Sequence, residues 1–259
     1  DVEYVTALGD DSFSEEMIAA WRKEGVGVSL VARNMGRLPG LYLIQTDANA
    51  ERRFSYWRDR APAREIFSGP DAEALARKLV DFDVLYFSGI SLSLYGAEGR
   101  ARLISAADEL RKKGGKVAFD TNFRPRGWPD REEARQAYGE AFARADILLA
   151  SVEDLSMLFG EEGTMTVERL SPPVEVVLKL AEPGCRILAG GEVIEVPAPP
   201  VARVVDTTAA GDSFAAAYLV ARMRGQPPQI AALQGHRLAG AVVQHRGAII
   251  PLAYMPVPL

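Results

Sequence analysis

Apolar residues recur along this chain at two spacings, and the places where one gives way to the other mark out its elements. From residue 71 onward, stretches with the 3.6-residue spacing of an amphipathic helix alternate with short apolar runs of the kind that form buried strands. Helices are predicted over 71–80, 96–113, 131–145 and 153–159, and strands over 84–88, 116–120 and 147–150. That rhythm predicts an α/β fold with a mostly parallel central sheet and helices on both faces. Past Pro172 three apolar runs, 174–180, 186–189 and 193–196, follow closely, the last two separated by Gly190-Gly191. They predict antiparallel additions at one sheet edge. Helices over 215–224, stopped by Gly225, and over 229–244 complete the C-terminal part.

The first part of the chain has a different pattern. A strand is predicted over 2–8, then a helix over 15–24 capped by Ser12 or Ser14 and ended by Gly25. Two strand-like runs, 40–46 and 51–58, flank the turn-prone residues 47–50 and predict a hairpin. In the second run Arg52, Phe54, Tyr56 and Arg58 share one face, and Arg53, Ser55 and Trp57 the other. A face with Tyr56 and Arg58 offers a hydroxyl and a cation to an anionic ligand. The same charges would equally protect a solvated edge strand.

Composition narrows the function classes. The 259 residues, 48% hydrophobic and 25% charged, suit one large α/β domain. A net charge of −5 provides no basic footprint for nucleic acid. No apolar run reaches membrane-spanning length and no signal-peptide pattern occurs, so neither a membrane nor an export route is expected and the cytoplasm is the default. Cys185 is the sole cysteine, and His236 and His245 are the two histidines. Disulfides, zinc clusters and a Ser-His-Asp triad therefore have no material to be built from. Cys185 and His245 are given no functional role.

The chemistry concentrates in Val204-Val205-Asp206-Thr207-Thr208-Ala209-Ala210-Gly211-Asp212-Ser213-Phe214. It reads as a turn from a short strand at 203–205 into a helix. Ala209, Ala210 and Gly211 are small enough for a ligand to approach the backbone N–H groups at the helix start, where the helix dipole favours an anion. Asp212 stands beside that cradle. It is either a helix cap or a base that takes a proton from an attacking hydroxyl. No Walker-type phosphate loop and no complete G-x-G-x-x-G occurs.

The string Asp206 to Phe214 resembles the D-T-x-G/A-A-G-D signature of the ribokinase-like (PfkB) carbohydrate kinases. The resemblance implies the ribokinase-like fold with a small β-strand lid over 40–58, Asp212 as catalytic base, Ala209, Ala210 and Gly211 as anion hole, and a potassium ion near Asp206 and Thr208. It also implies that a first strand, part of the lid and a Gly-Gly substrate motif precede residue 1. Gly40-Leu-Tyr-Leu43, Phe54-Ser-Tyr-Trp-Arg58 and Asp120-Thr-Asn-Phe-Arg124 further resemble segments of the 2-keto-3-deoxygluconate kinases within that family. This implies an acid sugar held by Tyr42, Tyr56, Arg58 and Arg124. Paired arginines suit a carboxylate, which a neutral hexose lacks.

The same resemblance implies ATP as phosphoryl donor and Mg²⁺ to neutralise its phosphates. The family's N-x-x-E reads Ser151-Val-Glu-Asp154 here, which leaves Glu153 and Asp154 as metal candidates, or simply as acidic residues in a helix's first turn. Lys179-Leu-Ala-Glu-Pro-Gly184 is similar to its K-x-G-x-x-G nucleotide segment, with Ala181 for the first glycine, and His236 falls near the expected adenine position. Lys179 is alternatively a surface lysine and His236 a packing residue. The expectation is an ATP-dependent kinase acting on the 6-hydroxyl of 2-keto-3-deoxygluconate, as a homo-oligomer. A neutral-sugar kinase such as fructokinase and a non-catalytic sugar or nucleotide binder are the alternatives.

Overall fold

The computed structural model describes residues 1–46, 52–160, 163–168, 174–257 and 259. It divides into two units, Asp1–Leu85 with Ser91–Gly115, and Tyr86–Ile90 with Lys116–Leu259.

The second unit is built on a six-stranded sheet. In chain order its strands are β5 (Val84–Ser88), β6 (Lys116–Asp120), β7 (Ile147–Ser151), β8 (Glu175–Lys179), β9 (Gly184–Ala189) and β10 (Glu192–Pro197), and they lie side by side in the spatial order β10-β9-β8-β7-β6-β5. β6, β7 and β8 are mutually parallel, and β9 and β10 run antiparallel to their neighbours. The run starting at 174, expected as an antiparallel addition, is instead an interior parallel strand. The helices α6 (Val152–Phe159) and α7 (Gly163–Glu168) return the chain across the sheet before β8, whereas only short turns precede β9 and β10. The second of these is Gly190-Gly191, at φ +59° and +83°, a conformation that favours glycine. Val117, Phe119, Leu148, Leu149 and Val177 are wholly buried, each such side chain worth roughly 1.5–3 kcal/mol.

Helices α5 (Arg131–Phe142), α8 (Ala210–Met223) and α9 (Pro228–Val242) complete this unit. α8 and α9 pack closely because Gly235 lacks a Cβ, which would lie 2.7 Å from the Phe214 ring. α8 begins at Ala210 rather than at 215, and residues 203–205 are not a strand. The Val205 N–H instead donates to the Val243 carbonyl at 2.7 Å, so the central motif is a loop-to-helix entry.

The first unit holds α1 (Ser12–Lys23), the short parallel pair β1 (Thr6–Leu8) and β2 (Val31–Arg33), the antiparallel pair β3 (Leu41–Thr46) and β4 (Arg52–Trp57), α2 (Ala72–Leu79) and α4 (Gly96–Lys112). α3 (Gly89–Leu94) precedes α4. The strand expected over 2–8 shortens to Thr6–Leu8, and Tyr4 instead packs edge-on against Trp21 with ring centroids 4.8 Å apart. The cap of α1 is Asp11, not Ser12 or Ser14. Its Oδ1 accepts from the N–H of Phe13 at 3.0 Å and of Ser14 at 3.3 Å. β3 and β4 pair antiparallel where the hairpin was expected, from Leu41 with Trp57 to Thr46 with Arg52, while the turn expected over 47–50 lies outside the described residues. Among the described residues no helix is long and apolar enough to cross a membrane.

Candidate active site

The chemistry-bearing residues of the second unit gather at the C-terminal ends of β5 to β8 and the start of α8, where open α/β sheets place ligands. Ala209 enters α8 at φ +60°, a left-handed conformation that costs an alanine roughly 1–2 kcal/mol. The Ala210 N–H bends back to the Thr207 carbonyl at 3.3 Å, and Ser213 makes the first helical bond, to Ala209. The amides of Gly211 and Asp212 lie in the first turn, where a helix has no acceptor of its own. Asp206 locks the entry: Oδ1 accepts from Thr208 N at 2.9 Å and Thr208 Oγ1 at 2.7 Å, and Oδ2 from Gly247 N at 3.0 Å. Asp212 is exposed.

After β6 the loop from Asp120 to Arg124 is fixed through Thr121. Its N–H donates to Leu149 O at 3.0 Å, its hydroxyl donates to Asp154 Oδ2 at 2.8 Å and accepts from Ser151 N at 3.3 Å, and its carbonyl accepts from the buried Tyr138 hydroxyl. Gly89 makes room for that last bond, since a Cβ there would overlap both the Tyr138 hydroxyl and the Thr121 carbonyl. Asn122 then takes φ +29°. Arg124 is exposed; its Nη1 donates to the Phe123 carbonyl at 2.7 Å and lies 3.6 Å from Asp154 Oδ1. Ser151 caps α6, accepting from Asp154 N at 3.1 Å.

Asp120 itself is 2% exposed and faces Lys179, whose Nζ lies 3.4 and 3.5 Å from its two carboxylate oxygens. The phenol of Tyr86 from β5, a residue 44% exposed, lies close enough to the same carboxylate to couple with it electrostatically. Burial pushes the Asp120 carboxyl above its usual range, the Lys179 ammonium opposes this, and the Asp154 and Asp212 charges add to the rise. Burial, together with Asp120 and Asp212, pushes the Tyr86 phenol far up as well, so it is a neutral donor. The Lys179 ammonium also sits 3.7 Å from where a Gly211 Cβ would be, above the open face of the helix start. An anion cradle, a cation beside it and an exposed carboxylate next to both can hold a phosphoryl group while a hydroxyl is deprotonated.

The family model for pfkB family carbohydrate kinases matches residues 1–254. The chain is a pfkB family carbohydrate kinase. Similar curated proteins include the 2-dehydro-3-deoxygluconokinases of Dickeya dadantii, 48% identical over 99% of this chain and 84% of the relative, and of Escherichia coli K12, 44% identical over 98% and 84%. A fructokinase of Klebsiella pneumoniae is 27% identical over 90% and 75%. Among solved structures, a PfkB protein from Polaromonas sp. JS666 superposes with a TM-score of 0.81 at 25% identity, covering 94% of this chain and 80% of that one. A fructokinase from Xylella fastidiosa with bound ATP reaches 0.80 at 21% identity over 98% and 82%, which speaks for the fold alone.

In this kinase the remaining expected residues divide by place. In the first unit Tyr42 and Tyr56 stand opposite each other across β3 and β4, ring centroids 6.3 Å apart, and the Arg58 guanidinium lies 4.5 Å from the Tyr56 ring centre. Gly40 admits the Arg58 stem, 2.9 Å from a hypothetical Cβ. In the second unit Gly184 lies close against β10, its Cβ position 3.2 Å from Val196 O. His236 is buried, its Nε2 3.1 Å from Val196 O and its ring 4.9 Å from that of Phe214, and burial holds its pKa below the ordinary value. Glu153 is exposed in the first turn of α6. Burial pushes the Cys185 thiol up to about 12, which makes it inert.

Sequence reasoning singled out the Asp120–Arg124 stretch but gave Asp120, Thr121 and Tyr86 no role. A signal was present: Asp120 and Lys179 each follow directly on the apolar interior of a strand, Val117–Phe119 in Lys116–Asp120 and Val176–Leu178 in Glu175–Lys179. A charge at that position in a sheet interior needs a partner.

Proposed function

We propose that this carbohydrate kinase transfers the γ-phosphoryl group of ATP to the 6-hydroxyl of 2-keto-3-deoxygluconate, with Asp212 as general base. The observation that carries the reading is the exposed Asp212 carboxylate set in the first turn of α8 beside open backbone amides. The relatives at 44–48% identity, named for this acid sugar, support the substrate. Asp212 takes the hydroxyl proton as the oxygen attacks. The amides of Gly211 and Asp212 and the positive end of α8 stabilise the charge spread over the moving phosphoryl group. Arg124 is assigned to the sugar carboxylate. In the first unit, Tyr42, Tyr56 and Arg58, gathered on one face of the β3–β4 pair, are assigned to sugar binding.

Lys179 is assigned to the ATP phosphates. Gly184 and His236 are held by β10 and Phe214, so their part in nucleotide binding is to shape the wall. Mg²⁺ enters with ATP and neutralises phosphate charge. Among the described residues no three His, Cys, Asp or Glu side chains converge as ligands, and Asp154 is already engaged by Thr121 and Arg124. Glu153 and Asp154 therefore fit a role through the ion's water shell. Asp206, satisfied by three donors, fits a turn lock better than a potassium site, and no step is routed through potassium. Leu41, Leu43 and Trp57, each at least half exposed on the opposite face of β3 and β4, support a homo-oligomer, which light scattering behind size exclusion tests.

The deciding experiment is ADP release with Mg-ATP and 2-keto-3-deoxygluconate, fructose or ribose, for the wild type and Asp212→Asn. The expected result is turnover with the acid sugar and a loss of ~10²–10⁴-fold in the variant with sugar binding kept. Preference for fructose would remove the carboxylate assignment of Arg58 and Arg124. A variant that turns over normally would remove Asp212 as base.

A further inference from the structure

Asp120 is a buried carboxylate that the transfer just described does not use. It lies at the end of β6, 2% exposed, between two partners from different strands, Lys179 at the end of β8 and Tyr86 on β5. A buried acid is expensive to keep, and replacing such a pair by apolar groups often leaves stability unchanged or improved. Its place is therefore better explained by what it does to Lys179. A lysine ammonium is a point charge on four rotatable methylenes and does not aim itself. Asp212 is a competing anion close enough to raise the Asp120 carboxyl. If Lys179 swung to Asp212 it would leave the phosphate cradle and quench the base.

We infer that Tyr86, Asp120 and Lys179 form a positioning chain in which the Tyr86 hydroxyl orients the Asp120 carboxylate, and the carboxylate holds the Lys179 ammonium over Gly211 to receive the terminal phosphate of ATP. Asp120 and Tyr86 are positioning residues and touch no reactant; Lys179 makes the contact. The carboxylate meets Lys179 with both oxygens at nearly equal distance, which fixes the ammonium without binding it as tightly as a short, single-oxygen bond. With three N–H donors, the ammonium keeps at least one for the phosphate while the ion pair holds it in place. Asn at position 120 would keep the size but offer one weak acceptor, and the lysine would be free to pair with Asp212.

The inference rests on the reading of α8 as the phosphate cradle, and its test needs no sugar. Binding of Mg-ATP and Mg-ADP is measured by calorimetry for the wild type, Lys179→Met, Asp120→Asn, Tyr86→Phe and the double variant Asp120→Asn with Lys179→Met. The wild type should prefer Mg-ATP. Lys179→Met and Asp120→Asn should each weaken Mg-ATP by about tenfold with Mg-ADP little changed, as expected for one charge-assisted contact. Tyr86→Phe, which removes only the hydroxyl, should act in the same direction by a few-fold, and keeps the test alive if the Asp120 variant does not fold. The double variant should bind like Lys179→Met alone, because Asp120 acts through the lysine. Additive losses, or equal losses for both nucleotides, would overturn the chain. So would a normal ATP preference in Asp120→Asn with a lowered melting temperature, which would make Asp120 a structural residue. Failure of the sugar assay with normal nucleotide results would count against the proposed substrate only.

Discussion

The β3–β4 pair of the first unit and the strand ends of the second unit carry chemically similar groups in opposite settings. On β3 and β4, Tyr42 and Tyr56 are 51% and 40% exposed, and Arg58, just after β4, rests on the Tyr56 ring. At the strand ends, Asp120, Thr121 and Asp154 are buried and every hydroxyl or carboxylate has a partner. The contrast teaches where rigidity is built. In the proposed reaction a phosphoryl group needs fixed charges at fixed distances, which a buried, mutually bonded cluster is suited to supply. If β3 and β4 meet the sugar, as proposed, their exposed groups can adjust on contact. Substitutions at the strand ends should therefore disturb folding and chemistry together, and substitutions on β3 and β4 should disturb binding alone.

The largest expected effect is at Gly89. In Gly89→Ala the new methyl overlaps the Tyr138 hydroxyl and the Thr121 carbonyl, both on the buried side of the active loop. A loss of about 3 kcal/mol or more in unfolding free energy is expected, toward the upper end for overpacking a tight core. Urea titration reads it, and adding Tyr138→Phe should restore part of the loss by removing one of the two obstacles. Next comes Glu175→Gln. Glu175 on β8 accepts from the Tyr218 hydroxyl at 2.7 Å and takes Arg222 on both oxygens, so it clamps the far end of α8 to the strand that carries Lys179. Losing one partner of a buried pair costs about 3–5 kcal/mol. Arg222 keeps 26% of its side chain in solvent, so about 2 kcal/mol is expected.

How much of this was legible in the chain follows the same division. Strand 116–120 and the β3–β4 pairing were readable because apolar periodicity is local, and the Asp206–Phe214 string stood out because small residues in a row at a helix start are a local pattern. The direction of β8 was not, since its run of Val and Leu looks the same whichever way its neighbour runs; only the intervening helices decide it. Asp11 was passed over as the cap of α1 in favour of Ser12 and Ser14, three acceptors within four residues that composition cannot rank. The Asp120–Lys179 pair joins residues 59 positions apart, beyond any spacing rule. The exposed groups of β3 and β4 could be placed on faces by alternation alone.

A smaller effect in the second unit is a dependence on pH. His236 is buried with a pKa below its unfolded value of about 6.5. The unfolded chain therefore binds more protons between the two values, and stability present above pH ~6.5 is lost as pH falls through the folded pKa. Melting temperature followed from about pH 7 to pH 5 should drop, and the drop should shrink in His236→Gln, which keeps a donor for the Val196 carbonyl.

The smallest change in stability should come from Arg58→Ala, and it is the sharpest test of the contrast. The guanidinium over the Tyr56 ring is an exposed cation–π contact, worth roughly 0.5–1 kcal/mol at most in such a setting. Unfolding should shift by no more than about that much. If Arg58 meets the sugar carboxylate, the KM for 2-keto-3-deoxygluconate should rise about tenfold or more while the KM for ATP stays put, since one charge-assisted bond to a ligand is worth about 1.5–3 kcal/mol. A neutral sugar, if turned over at all, should not notice. Were Arg58→Ala to cost as much stability as Glu175→Gln, the β3–β4 pair would be a structural element of its unit, and the division between an adjustable binding surface and a rigid catalytic cluster would fail.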